Sequence, residues 1–446
     1  MQQLLLFGAG KSATSLIRYL IDVAARRDWR LVVAESNLAL AESKIGDSSY
    51  ARAVQVDVAN EDERNALVFQ AQIVISLLPP ALHFLVARSC IAAKKNLLTA
   101  SYVDEKIRAL EPEIRDNGLL FLCEMGLDPG IDHMSALQLI SAIKQDGGHI
   151  HSFLSHTGGL VAPESDDNPW HYKISWNPRN VVLAGSTGAR YKEKGRTVSV
   201  DYGDIFRSTG SIQLPQTGPL AWYPNRDSLS YIPIYGLQEA ETFIRTTLRY
   251  PVFCEAWNCF VQAGLTDDSQ PLNRQPLATG SPGDMDRQPP GGLSFADWSA
   301  PLLPYVTAGN RPLFEYLGVF DPAPIPSAAT TSADVLQHLL ETKLAMAPQD
   351  KDMIIMQHEI GFLKAGKQYV EKSTLVVKGE DSLHTAMART VGLPLGIAAK
   401  LVLEGKVSLT GLHIPILPEI YDPVLAELDE LGIRFEREVS TAASGR

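Results

Sequence analysis

Near its start the chain runs five apolar-rich residues into Gly8-Ala9-Gly10-Lys11-Ser12-Ala13, and a helical pattern follows at once. That junction constrains the fold more than any other feature. Residues 3–7 (QLLLF) read as a buried strand, and residues 12–25 as a helix with Leu16, Ile17, Leu20 and Val23 on its inner face. In a G-x-G-x-x-A turn of this kind each small residue has separate work. Gly8 makes the tight turn, Gly10 lets the backbone approach a pyrophosphate, and Ala13 lets helix and strand pack closely. The helix N-terminus then offers N–H groups to phosphate oxygens.

The order of later elements supports this reading. Apolar runs at 30–34, 54–58, 73–78, 96–100 and 119–122 read as five further strands, with helical segments between them. Strands alternating with helices predict an α/β fold with a doubly wound parallel sheet. Ligands in such sheets lie just past the carboxyl ends of the strands. The expected dinucleotide contacts are therefore Gly8, Ala9, Gly10, Lys11, Ser12, Ala13, Glu35, Ser36, Asp57, Val58, Leu78, Pro79, Thr99 and Leu127. Glu35 ends the second strand, where a carboxylate accepts hydrogen bonds from ribose hydroxyls. This favours NAD over NADP.

Residues 124–134 (EMGLDPGIDHM) follow the sixth strand. Pro129 fixes φ and biases Asp128 toward an extended conformation, while Gly126 and Gly130 permit angles closed to other residues. Residues 133–143 then read as a helix, with Asp132 and His133 as helix-start residues. The stretch is either a structural turn with a solvated Asp128 or a turn that presents a carboxylate on the ligand edge. Its place after the sixth strand puts it on the same edge as the glycine turn and Ser101-Tyr102.

A chain of 446 residues is too long for one small core, so two or three domains are expected. A net charge of −11 with no basic tract argues against nucleic-acid or anionic-membrane partners. No apolar run approaches the roughly 20 residues of a membrane span. The opening MQQLLLFGAG lacks the basic n-region of a signal peptide. Cys90, Cys123, Cys254 and Cys259 suggest neither a disulfide framework nor a zinc site, which places the chain in the cytoplasm. His149, His151 and His156 have no acidic or cysteine partners at ligand spacing, so no metal is expected.

From about residue 150 the alternation changes. Residues 151–164 read as a strand followed by a Gly-Gly turn, and residues 245–250 as a helix or its end before Pro251. Arg226 and Arg249 could each clasp a carboxylate bidentately, or pair with a neighbouring acid at the surface. Residues 265–298 are rich in Pro, Gly and Gln and read as a long loop. Residues 332–344 read as a helix. Residues 353–363 and 368–377 read as a hairpin about Lys364-Ala365-Gly366-Lys367. Residues 382–403 read as a helix broken at Gly392-Leu393-Pro394, 418–431 as a helix and 433–438 as a strand. The tail 440–446 reads as unstructured.

Taken together, VISLLPP, LLTASYVDEKIRALEPEI, EMGLDPGIDHM, GGLVAPESDDNP, YPNRDSL, TTLRYP and TVGLPLGIAAKLVLEGKVSLTGLHIPILPEIYDP resemble the saccharopine reductases, the glutamate-forming saccharopine dehydrogenases. They occur in that family's order over nearly the whole chain. The resemblance implies a variant Rossmann domain (1–128 and 394–446), a mixed α/β substrate and dimer domain (129–232 and 350–393) and a mainly helical insertion (233–349). It implies a homodimer. It also implies reversible conversion of saccharopine, a nicotinamide cofactor and water to L-glutamate and 2-aminoadipate 6-semialdehyde, with substrate contacts from Ser101, Tyr102, Asp128, Arg226, Thr247 and Arg249. Tyr102 and Asp128 are the candidates for proton handling or for orienting the amine.

Two departures stand out. The family's SYCGG reads Ser155-His156-Thr157-Gly158-Gly159, so Thr157 replaces a Cys. Glu35-Ser36-Asn37 stands where NADP-using members place an Arg-containing segment, so the cofactor expected is NAD, with NADP the alternative. Competing readings are a relative acting on another amine-linked amino acid such as carboxynorspermidine, and a nucleotide-binding redox sensor without turnover. Two arginines on separate segments favour the multi-carboxylate substrate.

Overall fold

The computed structural model describes residues 2–215, 217–272 and 292–441. Contacts within it divide the chain into two units. The first comprises Met1–Thr157, Ile232–Ala240 and Met353–Arg446; the second comprises Gly158–Tyr231 and Glu241–Asp352.

In the first unit, strands β1 (Gln3–Phe7), β2 (Arg30–Glu35), β3 (Ala51–Gln55), β4 (Ile73–Ser76), β5 (Asn96–Thr99) and β6 (Leu120–Leu122) form a parallel sheet with Gly411–His413. The order is Gly411–His413, β6, β5, β4, β1, β2, β3. The chain winds outward from β1 through β2 and β3, then returns to place β4 on the other side of β1. This reversal opens a crevice at the carboxyl ends of β1 and β4, where loops diverge above and below the sheet. Leu5, Phe7, Val32, Ala34, Val74 and Phe121 project into one apolar layer, as the period of two requires.

Helix α1 (Thr14–Arg27) packs against the helix Ala386–Leu403. Their close approach depends on two glycines. A Cβ on Gly392 would lie 2.9 Å from the Leu16 nitrogen, and one on Gly396 would lie 2.6 Å from the Tyr19 ring. This apolar helix has the length and composition of a membrane span, but 72% of it is buried in the protein itself. The same unit holds an antiparallel set, Asp352–Lys364, Lys367–Lys378 and Phe435–Thr441. Its hairpin turns on Ala365 (φ 49°) and Gly366 (φ 75°), the left-handed pair that matches strand twist.

In the second unit, Gly210–Leu214, Gly218–Pro224 and Thr242–Arg249 pair antiparallel. Ala189–Glu193 pairs with Arg196–Val200 and, in parallel, with Arg226–Asp227. The helices Pro251–Gln262, Arg311–Leu317 and Ser332–Lys343 contribute to a core centred on Trp170, Phe253, Trp257, Phe260 and Phe314. Thr331 and Asp334 cap the last of these helices reciprocally.

Several expectations are corrected. Residues 245–249 are strand, not helix, and Tyr250 is the N-cap of the helix that follows. The β-branched Thr242, Ile244, Thr246 and Thr247 find a partner strand, and Pro251 begins the next helix instead of ending one. The expected Gly158-Gly159 turn is the interior of a thirteen-residue strand, His149–Val161. Gly158 is there because a Cβ would lie 2.7 Å from that of Leu248. The helix expected to break at Gly392-Leu393-Pro394 is continuous, with Pro394 inside it. The third strand lies at 51–55, which leaves Asp57 and Val58 beyond its end. Within the expected loop 265–298, Phe295–Trp298 is helical, and 273–291 lie outside the described residues. Of the expected tail, Ser440 and Thr441 are strand, and 442–446 lie outside the described residues.

Candidate active site

The first unit supplies the cofactor cradle and the edge beside it. Gly8 takes φ 98° and donates its N–H to the Ala34 carbonyl at 2.9 Å; a Cβ there would meet the Leu77 carbonyl oxygen at 2.7 Å. Gly10 is the opposite case, since a Cβ would meet nothing within 4 Å. The chain then winds through a short 3-10 turn, Lys11–Ala13, into α1. Open space before a helix N-terminus, walled by a turn that only glycine can make, fits a dinucleotide pyrophosphate.

Glu35 is folded onto this turn. Its Oε2 accepts the Ala9 N–H at 2.7 Å, and its Oε1 accepts the Ser36 hydroxyl at 2.8 Å and the Asn37 N–H at 3.3 Å. Partial burial opposes its charge, but the donors from Ala9, Ser36 and Asn37 prevail and hold it below the usual carboxylate range. Lys44 donates to the Gly10 carbonyl, and burial draws it down to about 8 against the pull of Glu35. Lys11, Ser36 and Pro79 are exposed, while Ser12 and Leu78 are half-buried. Asp57 is exposed and caps the Ala59 N–H at 2.9 Å, whereas the Val58 side chain is buried in the apolar core. Ala9, Ala13, Thr99 and Leu127 are buried.

Two loops meet past the ends of β5 and β6. Tyr102 donates its hydroxyl to Asp128 Oδ1 at 3.0 Å, and both residues are half-buried. The Asp128–Pro129 peptide is cis. Gly130 takes φ 147°, and a Cβ there would lie 2.1 Å from the Gly126 carbonyl oxygen. Asp132 closes the loop by accepting the Gly130 N–H at 2.6 Å, ahead of the helix Ile131–Gln145. Ser101 Oγ lies 2.7 Å from His83 Nε2, whose Nδ1 lies 2.8 Å from Ser76 Oγ.

Glu124 was not expected as a functional residue, yet it organises this edge. It is buried in the left-handed region at φ 60°. Its N–H donates to the Ser101 carbonyl at 3.1 Å, and its Oε1 accepts the Val103 N–H at 3.1 Å. Both ends of the Ser101–Val103 turn are thereby held. Its Oε2 lies 2.9 Å from His133 Nε2, and His133 Nδ1 lies 2.6 Å from the Tyr235 hydroxyl. A non-glycine residue pays roughly 1–3 kcal/mol for such backbone strain, which persists where surrounding contacts over-determine it. The sequence signal was a Glu two residues past a strand and nine residues before a His. His133, expected as a helix-start residue, is wholly buried in this network.

The second unit carries Arg226, Thr247 and Arg249. Arg226 is exposed at φ 51° on the two-residue strand beside Ala189–Glu193. Thr247 is half-buried and stands opposite Tyr223 in the sheet. Burial pushes Tyr223 up to about 12, although Arg249 acts in the other direction. Arg249 is 3% exposed, with its guanidinium 5.2 Å above the Tyr172 ring and 5.6 Å from that of Phe253. Its Nη1 donates to the Leu248 carbonyl at 2.7 Å, and its Nε has no hydrogen-bond partner among the described residues. A buried guanidinium with an unused donor has the chemistry to bind an anion. In the first unit, Thr157 is buried, and its hydroxyl has no hydrogen-bond partner among the described residues.

Comparison with known proteins places this arrangement. Residues 4–122 match the family model described as the saccharopine dehydrogenase NADP binding domain, and residues 126–433 match the saccharopine dehydrogenase C-terminal domain. The saccharopine dehydrogenase [NADP(+), L-glutamate-forming] of Saccharomyces cerevisiae is 36% identical over 98% of this chain and 99% of its own length. The mitochondrial alpha-aminoadipic semialdehyde synthase of Bos taurus is 35% identical over 97% of this chain, which spans 47% of that longer protein. The solved apo structure of histidine-tagged saccharopine dehydrogenase (L-Glu forming) from Saccharomyces cerevisiae superposes with a TM-score of 0.85, at 32% identity, covering 99% of this chain and 100% of that one. The homospermidine synthase of Legionella pneumophila, at 9% identity, 98% and 91% coverage and a TM-score of 0.55, shares the fold alone. The chain belongs to the saccharopine dehydrogenase family.

Proposed function

We propose that this chain is a nicotinamide-dependent saccharopine oxidoreductase of lysine metabolism, forming L-glutamate and 2-aminoadipate 6-semialdehyde reversibly. The observation that carries this reading is the Tyr102–Asp128 pair, 3.0 Å apart past the carboxyl ends of the parallel strands. When bound, the nicotinamide ring supplies the hydride acceptor. The chain's own residues are left to position the substrate and move protons. Saccharopine carries three carboxylates and two amines. Asp128 suits an ammonium or the bridging amine, and Tyr102, bonded to it, fixes which oxygen faces that nitrogen. Ser101 and Thr247 supply hydroxyls, while Arg226 and Arg249 supply guanidinium groups for carboxylates. The expected result is a change at the nicotinamide absorbance band when saccharopine is added. Turnover of carboxynorspermidine but not saccharopine would move the chain to that relative's activity, and turnover of neither would leave the redox-sensor reading.

The same proposal assigns NAD as the preferred cofactor. Relatives named for NADP(+) are similar over the full chain, but Glu35 holds a carboxylate against the glycine turn. A 2′-phosphate there would meet like charge in place of a ribose hydroxyl. The kcat/KM ratio tests it: NAD above NADP is expected, and the reverse order refutes the assignment. A cytoplasmic homodimer completes the proposal; a monomer mass in sedimentation would remove the dimer.

A further inference from the structure

The Ser76–His83–Ser101 line of hydrogen bonds gives Ser101 a direction that neither its sequence position nor its family resemblance assigns. His83 stands on the helix Pro80–Ala92 and is 4% exposed. Its Nδ1 lies 2.8 Å from Ser76 Oγ and its Nε2 2.7 Å from Ser101 Oγ, so both ring nitrogens are occupied. Burial draws the imidazole down to about 4, with Asp104 pulling the other way, so the ring is neutral at ordinary working pH. A neutral imidazole has one donor and one acceptor. Which nitrogen carries the hydrogen follows from the buried end.

Ser76 is fully buried at the end of β4, and among the described residues its hydroxyl has no side-chain or backbone partner other than His83. If Nδ1 carried the hydrogen, the Ser76 hydroxyl hydrogen would be buried without an acceptor, at a cost of about 1–3 kcal/mol. In the satisfied arrangement Ser76 donates to Nδ1. Nε2 then carries the hydrogen and donates to Ser101 Oγ. The Ser101 hydroxyl hydrogen is thereby turned away from His83.

We propose that Ser76 and His83 are positioning residues that leave the Ser101 hydroxyl hydrogen free to donate toward its ligand, favouring a carboxylate or carbonyl oxygen there. This rests on the reading of Ser101 as a substrate contact, and it divides the work at the edge. Asp128 accepts from nitrogen, and Ser101 donates to oxygen.

The direct test is the ring-nitrogen NMR shifts of His83 in 15N-histidine-labelled protein. Nε2 as the protonated nitrogen is expected; a protonated Nδ1 overturns the proposal. The functional test uses residues that do not touch the ligand. Ser76→Ala frees Nδ1 and lets Ser101 turn back to donate to His83. A rise in KM for saccharopine of about tenfold is expected, with the KM for the dinucleotide unmoved. His83→Gln, whose amide reaches the Nε2 position, retains a KM closer to wild type than His83→Asn, which reaches only Nδ1. In a Ser101→Ala background Ser76→Ala adds nothing. An equal effect of Ser76→Ala in both backgrounds refutes action through Ser101. Unchanged kinetics of Ser101→Ala alone refutes the substrate contact, while the NMR result still decides the tautomer.

Discussion

The Tyr102–Asp128 hydrogen bond gives the sharpest measurable test of the proposed chemistry. Tyr102→Phe removes one oxygen and leaves the ring. The lost bond is an O–H donor on a carboxylate at 3.0 Å. Hydrogen bonds to charged groups contribute about 1.5–3 kcal/mol. Both partners are half-buried, so solvent compensates in part and the lower half of that range applies. The expected loss in kcat/KM for saccharopine is therefore about 1.5–2 kcal/mol, roughly 10- to 30-fold. Asp128→Asn removes the carboxylate's charge as well and should cost more. If the tyrosine acts by orienting Asp128, the double variant resembles Asp128→Asn alone, with a coupling energy of about 1–2 kcal/mol. The assay is initial velocity at the nicotinamide absorbance band, with the dinucleotide KM as the control. Additivity of the two losses within about 0.5 kcal/mol would refute the orienting role.

Gly130→Ala places a Cβ 2.1 Å from the Gly126 carbonyl oxygen at φ 147°; we expect destabilisation of at least about 3 kcal/mol in thermal unfolding, and an unchanged Tm would contradict the loop geometry. Arg249→Lys keeps the charge but loses the planar fork above Tyr172, so the saccharopine KM should rise about tenfold while dinucleotide affinity holds. Arg226→Ala should likewise lower kcat/KM for saccharopine and spare the dinucleotide, and equal effects on both ligands would remove the carboxylate role. For His83, burial sets the folded pKa at about 4, below the unfolded value of about 6.5. The unfolded chain then binds more protons between those values, so stability is complete above pH 6.5 and falls as pH drops toward 4, by about 1.4 kcal/mol per unit for this one group. Urea unfolding at pH 7, 6 and 5 should show that slope reduced by this amount in His83→Gln, and an unaltered slope would mean that the imidazole is charged in the fold.

Local pattern carried much of this protein. The strand, glycine turn and helix at residues 3–27 need only neighbouring residues to be specified, because φ freedom at Gly8 and apolar periodicity are local properties. The parallel sheet and the hairpin about Ala365-Gly366 were legible for the same reason. Tertiary structure decided the positions whose meaning depends on distant partners. Gly158 is strand because Leu248 lies against it, not because Gly-Gly favours a turn. Residues 246–249 are strand because Gly218–Pro224 satisfies their backbone groups. The helix through Pro394 is continuous, and its two glycines let it lie against Leu16 and Tyr19 of α1. At the site, the sequence placed Tyr102 and Asp128 on one edge, but the spacing of Glu124 and His133 did not say that Glu124 holds the Ser101–Val103 turn, nor did it show that His83 aims Ser101. Those roles are hydrogen bonds between residues up to tens of positions apart. A one-dimensional pattern fixes which groups a chain can offer; only folding fixes which donor meets which acceptor in the absence of water.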